Sequence, residues 1–65
     1  MPHLRVVLYE GRTVEKKQEL AARLTDAVCE VLGVTPQDVS IILDECKKEN
    51  WASGGLLACN RPPKK

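Results

Sequence analysis

Pro2-His3-Leu4-Arg5-Val6-Val7-Leu8-Tyr9-Glu10-Gly11-Arg12 opens the chain behind Met1, and its reading decides the fold. Leu4, Val6 and Leu8 fall on one side of an extended backbone and Arg5, Val7 and Tyr9 on the other, because side chains alternate with period two. Both sides carry apolar groups, so the stretch from about His3 to Tyr9 predicts a β-strand covered on both faces. Glu10-Gly11-Arg12 breaks that pattern, with Gly11 supplying a conformation that a Cβ would obstruct.

Outward from this strand the period changes. Leu20, Ala21, Leu24, Ala27, Val28, Val31 and Leu32 recur at three- and four-residue steps, the mark of one apolar helix face. Lys16, Lys17, Glu19, Arg23, Asp26 and Glu30 fall mainly on the other, solvated side. Thr13 is placed to cap the first turn with its hydroxyl, Glu15 suits the positive end of the helix dipole, and Gly33 suits the C-terminal stop. A helix from Val14 to Leu32 would be roughly 28 Å long. Thr35-Pro36-Gln37-Asp38 reads as a turn. A second strand is expected over Val39–Glu45, with Val39, Ile41 and Leu43 facing one way and Ser40, Ile42 and Asp44 the other. Lys47-Lys48-Glu49-Asn50 is polar, and Trp51 to Ala58 reads as a small hairpin turning at Gly54-Gly55. Residues 1–60 form one domain, and 61–65 a polar tail. Strand, helix and strand make an α/β protein built on a single β-α-β unit. Its strands are parallel, and a short C-terminal hairpin follows.

Size and composition restrict what this unit can do. A chain of 65 residues buries only about 60% of its unfolded surface and needs further support. The three cysteines, Cys29, Cys46 and Cys59, cannot all pair within one chain and show no CxxC; His3 is the single histidine. A zinc site is not expected, and Cys29 and Cys46 are read as buried reduced thiols. Oligomerisation is the remaining support. It would also cover the sheet face left open by the helix, with Val7, Tyr9 and Ile42. A net charge of +1 with interspersed signs gives no footprint for nucleic acid. Tyr9 and Trp51 are too few for base stacking. No run approaches the roughly 20 apolar residues that span a bilayer. No signal peptide is recognised, so a cytoplasmic location is expected.

Chemistry points first to Pro2. Removal of Met1 would leave a secondary amine at the head of the first strand. Burial and a neighbouring arginine disfavour the charged ammonium, and a neutral amine at pH 7 can abstract a proton. Arg12 stands at the carboxyl end of that strand, the side where ligands bind in open α/β sheets, and its guanidinium can grip a carboxylate through two hydrogen bonds. Trp51, with its large apolar area, can serve as a wall that excludes water.

Pro2, Leu8-Tyr9-Glu10-Gly11-Arg12, Glu15, Lys16, Leu20, Ile41-Ile42-Leu43-Asp44-Glu45, Trp51 and Gly54-Gly55-Leu56-Leu57-Ala58, in this order, resemble the 4-oxalocrotonate tautomerase family over nearly the whole chain. The resemblance implies protomers that pair into a four-stranded sheet, with three such dimers making a hexamer. It implies a cofactor-free isomerase that moves a proton from enol oxygen to carbon in a 2-hydroxydienoate such as 2-hydroxymuconate. Pro2 would be the base and Arg12 the ligand of the distal carboxylate. Trp51, where the family usually has phenylalanine, would be the wall, and the backbone amide of Tyr9 would help orient substrate. One departure bears on substrate. Ser40 stands where well-studied members carry a second arginine, supplied from a neighbouring subunit to the 2-oxo group and adjacent carboxylate. Serine donates one neutral hydrogen bond but carries no charge, and losing a charged donor at an oxyanion commonly costs about 2.7–4 kcal/mol of transition-state stabilisation. Arg5 and Arg61 are candidates to replace it. The alternatives are an isomerase for another enol or unsaturated acid in a specialised biosynthetic pathway, a hydratase- or dehalogenase-like reaction with Pro2 protonated, and a non-catalytic oligomer, favoured where Met1 is retained.

Overall fold

The computed structural model describes residues 2–61. The state of Met1 and residues 62–65 of the polar tail lie outside the described residues. β1 runs over His3–Tyr9, α1 over Val14–Leu32 and β2 over Ser40–Cys46. β1 and β2 pair in parallel, from His3 opposite Ser40 to Tyr9 opposite Cys46. β3 (Ala52–Ser53) and β4 (Leu56–Leu57) form a separate antiparallel ribbon. This is the expected β-α-β unit with its terminal hairpin.

Local chemistry sets the element ends. The Thr13 hydroxyl accepts from the Lys16 amide at 3.2 Å, satisfying one of the free donors of the first turn. Gly33 ends α1 at φ 72°, its N–H donating to the Cys29 carbonyl at 2.9 Å. The hairpin closes through Gly54 and Gly55, both at positive φ, as a tight turn between two strands requires. β2 begins one residue later than the alternation suggests. The Val39 amide is committed to the short 3₁₀ turn Pro36–Asp38, donating to the Pro36 carbonyl at 3.1 Å. The ladder therefore opens with the Ser40 amide donating to the Pro2 carbonyl at 3.1 Å, and extends to Cys46, whose carbonyl accepts from the Glu10 amide at 3.1 Å.

α1 covers the face of the sheet that carries Leu4, Val6, Leu8, Ile41 and Leu43, all half-buried. Its own covered residues are Lys17, Leu20, Ala21, Leu24, Thr25, Val28 and Cys29. Two of these positions depart from the helix reading, and three residues read onto the apolar face stay outside it. Lys17, placed with the solvated residues, instead reaches across to Glu45 on β2 at 3.0 Å, both side chains about a third exposed or less (27% and 33%). Thr25 joins the covered face because its hydroxyl donates to the Ala21 carbonyl at 2.8 Å, so its polar group needs no solvent. Val31 and Leu32 extend past the end of the short sheet and stay 81% and 60% exposed, and Ala27 is exposed as well. Cys29 and Cys46 are free thiols as expected, but half-buried rather than buried.

No hydrophobic side chain among the described residues is buried in the single chain. Its radius of gyration is 14.9 Å and its extents are 42 × 24 × 20 Å. A folded domain of this length packs to about 11 Å. The open sheet face carries His3, Arg5 and Val7 on β1 beside Ser40, Ile42 and Asp44 on β2. Val7 and Ile42 remain half exposed on it, and Arg5 forms an ion pair with Asp44. An α/β unit with a bare sheet face and no closed core lacks one of the packed layers that complete a domain.

Candidate active site

The expected site residues separate into two groups, one at each end of β1. At the first end stands Pro2, half-buried, with its carbonyl held by the Ser40 amide. The Ser40 hydroxyl shares a hydrogen bond of 3.0 Å with Nδ1 of His3, the residue directly opposite it in the ladder. Pro2, His3 and Ser40 thus form one cluster at the start of the paired strands. His3 was not singled out from the sequence. Its partnership with Ser40 follows from the strand register, which no local pattern announces.

At the second end are Tyr9, Arg12 and Trp51. The Arg12 guanidinium donates from Nη1 to the Tyr9 carbonyl at 2.9 Å, which folds the arginine back over the strand end. Trp51 meets the Tyr9 ring edge to face, with centroids 4.8 Å apart and planes at 65°, a favoured aromatic geometry. The Lys48 ammonium lies 5.6 Å from the Tyr9 ring centroid, within cation–π range. The Ala58 amide donates to the Trp51 carbonyl at 2.7 Å, tying the hairpin to this cluster. Beside it, Arg12, Lys16, Glu19, Leu20 and Arg23 line a surface hollow of about 450 Å³.

The seven residues of β1 separate the two clusters by roughly 23 Å at ~3.3 Å per residue. A proton donor or acceptor must come within about 3.2 Å of the atom it serves. Pro2 and Arg12 of one chain therefore cannot act on the same small molecule. The two arginines weighed as replacements at Ser40 are both engaged within the chain. Arg5 pairs with Asp44, and Arg61 donates from Nη2 to the Ser53 carbonyl at 2.8 Å.

Comparison with known proteins places the fold and the family. The family profile described as tautomerase enzyme matches residues 2–59, beginning at Pro2. The 2-hydroxymuconate tautomerase of Bacillus subtilis (strain 168) is 34% identical over 55 residues, 85% of this chain and 89% of that protein. Among solved structures, TomN, a 4-oxalocrotonate tautomerase homologue in the tomaymycin biosynthetic pathway, superposes with a TM-score of 0.90 at 37% identity, covering 92% of each chain. A heterohexamer 4-oxalocrotonate tautomerase from Chloroflexus aurantiacus superposes at 0.88 with 33% identity, covering 92% of this chain and 97% of that one. A β-α-β fold with an exposed sheet face, a proline at the head of its first strand and an arginine past its end, matched along almost its whole length, makes this chain a member of the tautomerase family, of the 4-oxalocrotonate tautomerase kind.

Proposed function

We propose that the chain is a cofactor-free tautomerase in which Pro2, freed by removal of Met1, is the general base. The enol oxygen of a bound 2-hydroxydienoate gives its proton to the Pro2 nitrogen. The electron pair moves along the conjugated system, and the same proton returns to a carbon further on. Atoms balance, and the product is the unsaturated 2-oxo acid. The position of Pro2 at the open end of the sheet, where the family match begins, is the observation that carries the reading.

The separation of Pro2 from Arg12 supports a site completed between copies. A second chain whose β1 runs antiparallel to the first would bring its Arg12 end to the first chain's Pro2 end, and the reverse. Such a closed two-fold pairing generates two equal sites. Assembly of these pairs into a hexamer would cover the sheet faces that carry Val7 and Ile42. Arg12 then holds the distal carboxylate, Tyr9 offers its backbone amide, Trp51 walls the site, and Ser40 is the neutral donor near the reacting end.

Ser40 favours a substrate other than the usual diacid. An isomerase acting on a different enol in a specialised biosynthetic pathway is the second reading, and the likeness to TomN supports it. The test uses processed protein, verified by intact mass, with 2-hydroxymuconate and phenylenolpyruvate as substrates. Pro2→Ala should lose most turnover of whichever enol the wild type accepts. Equal turnover by the two proteins rejects Pro2 as the base, and retention of Met1 in protein from its native source rejects the tautomerase reading.

A further inference from the structure

The hollow beside Arg12 carries more positive charge than one carboxylate ligand requires. Its lining has three cations, Arg12, Lys16 and Arg23, against the single carboxylate of Glu19. Glu19 is taken: its Oε2 lies 2.6 Å from Arg23 Nη2, one helical turn on. Arg12 spends one N–H on the Tyr9 carbonyl and keeps the rest of its planar fork. Lys16 has no side-chain hydrogen bond or ion pair among the described residues, while its backbone amide is fixed by the Thr13 cap. The half-buried Leu20 adds an apolar surface to the same hollow. Two unneutralised cations, one flat and bidentate and one a mobile point charge, therefore share one concave surface at the start of α1, where the helix dipole also favours an anion.

The opposite end of the sheet is different. Near Pro2 the donors are the Ser40 hydroxyl and the His3 imidazole, which are bonded to each other, and the neighbouring Arg5 is paired with Asp44. Cationic recognition is thus concentrated at the Arg12 end.

We propose that Lys16 acts with Arg12 as a two-cation clamp on the remote carboxylate of the substrate, so that this chain selects enol or dienol compounds whose anionic group lies at the end away from the reacting enol. The proposal rests on the tautomerase reading for the identity of the substrate, but the anion site itself does not depend on Pro2. Guanidinium fixes the carboxylate plane through parallel hydrogen bonds, and the Lys16 ammonium adds a second charge-assisted bond.

The test compares Lys16→Gln and Lys16→Arg with the full-length oligomeric wild type. On 2-hydroxymuconate, with a carboxylate at each end, Lys16→Gln should raise KM by about fivefold, the upper end for an exposed charge pair, with kcat nearly constant. The rise should be much smaller on phenylenolpyruvate, whose only carboxylate adjoins the enol, and Lys16→Arg should restore KM. An unchanged ratio of the two KM values overturns the proposal. A second measurement needs no turnover: NMR titration with adipate. Shifts at Arg12, Lys16 and Leu20 that are weakened in Lys16→Gln support the clamp. Absence of those shifts, or equal affinity in the variant, overturns it. A wild type that isomerises neither enol yet binds adipate through Lys16 rejects these two enols as substrates and leaves the clamp standing.

Discussion

Ile42→Lys should dissociate the protein and cost it both fold and activity. Ile42 is 49% exposed on the open sheet face and its neighbour Val7 is 51% exposed. Complete burial of such a side chain is worth about 1.5–3 kcal/mol relative to exposure. About half remains uncovered in the single chain, so covering the rest contributes roughly 0.7–1.5 kcal/mol for each of the two residues in every copy. Ile42→Ala should therefore weaken association by about 3- to 12-fold per chain, since 1.4 kcal/mol is tenfold. Lysine at the same place adds the cost of an unpaired charge in an apolar contact, several kcal/mol. Asp44 already pairs with Arg5 and offers a new cation only a shared carboxylate. Size-exclusion chromatography with light scattering across a dilution series measures assembly, and circular dichroism measures folding. Wild-type melting temperature should rise with protein concentration, because only the folded state associates. Ile42→Lys should elute as a monomer, melt at lower temperature and lose tautomerase turnover in parallel. A variant that keeps the wild-type assembly and melting temperature would show that this face is not an interface, and would remove the argument that copies complete one another.

Two further outcomes follow from single positions. Ser40→Arg restores a charged donor near the reacting end and should raise kcat/KM on 2-hydroxymuconate by about 10²–10³-fold, the range measured for one oxyanion donor, as read by steady-state kinetics; no gain would mean that residue 40 does not face substrate. Gly33→Ala places a Cβ at φ 72° and should lower stability by about 1–2 kcal/mol, measured by urea unfolding at fixed protein concentration, with activity per folded oligomer unchanged.

The local part of the fold was legible because the determinants are short-range. Thr13 and Gly33 mark the ends of α1 through bonds to residues three and four positions away, and the alternation from Leu4 to Tyr9 needs no partner to be recognised. The start of β2 was not, since it depends on whether the Val39 amide joins the ladder or the preceding turn. The outer limit of the helix face was hidden for a different reason. Val31 and Leu32 keep the apolar period but lie beyond the strands, and periodicity carries no information on where the opposing layer stops. For the candidate site, residue types at Pro2, Arg12 and Trp51 were readable as chemistry. The sequence already puts Pro2 at the head of β1 and Arg12 past its end; that Trp51 joins the Arg12 end, against the Tyr9 ring, emerges only from the packing. The pairing of His3 with Ser40 and the grouping of Lys16 with Arg12 likewise join residues by geometry rather than by pattern. Lys17 shows the same limit in reverse: its charge suggested solvent, and the carboxylate of Glu45 on β2 drew it inward.

The length of β1 has a consequence for mixtures of damaged chains. With Pro2 at one end and Arg12 at the other, the proposed two-fold pair would assign each site one proline and the other chain's arginine. Join a chain lacking its proline to a chain lacking its arginine, and both defects fall in the same site. The second site then holds an undamaged proline and an undamaged arginine. Two inactive proteins would thereby yield a half-active assembly, and the strand would serve as a unit of complementation as well as a structural one. The same logic lets two diverged copies share the work unequally, one kept for its base and the other for its carboxylate grip.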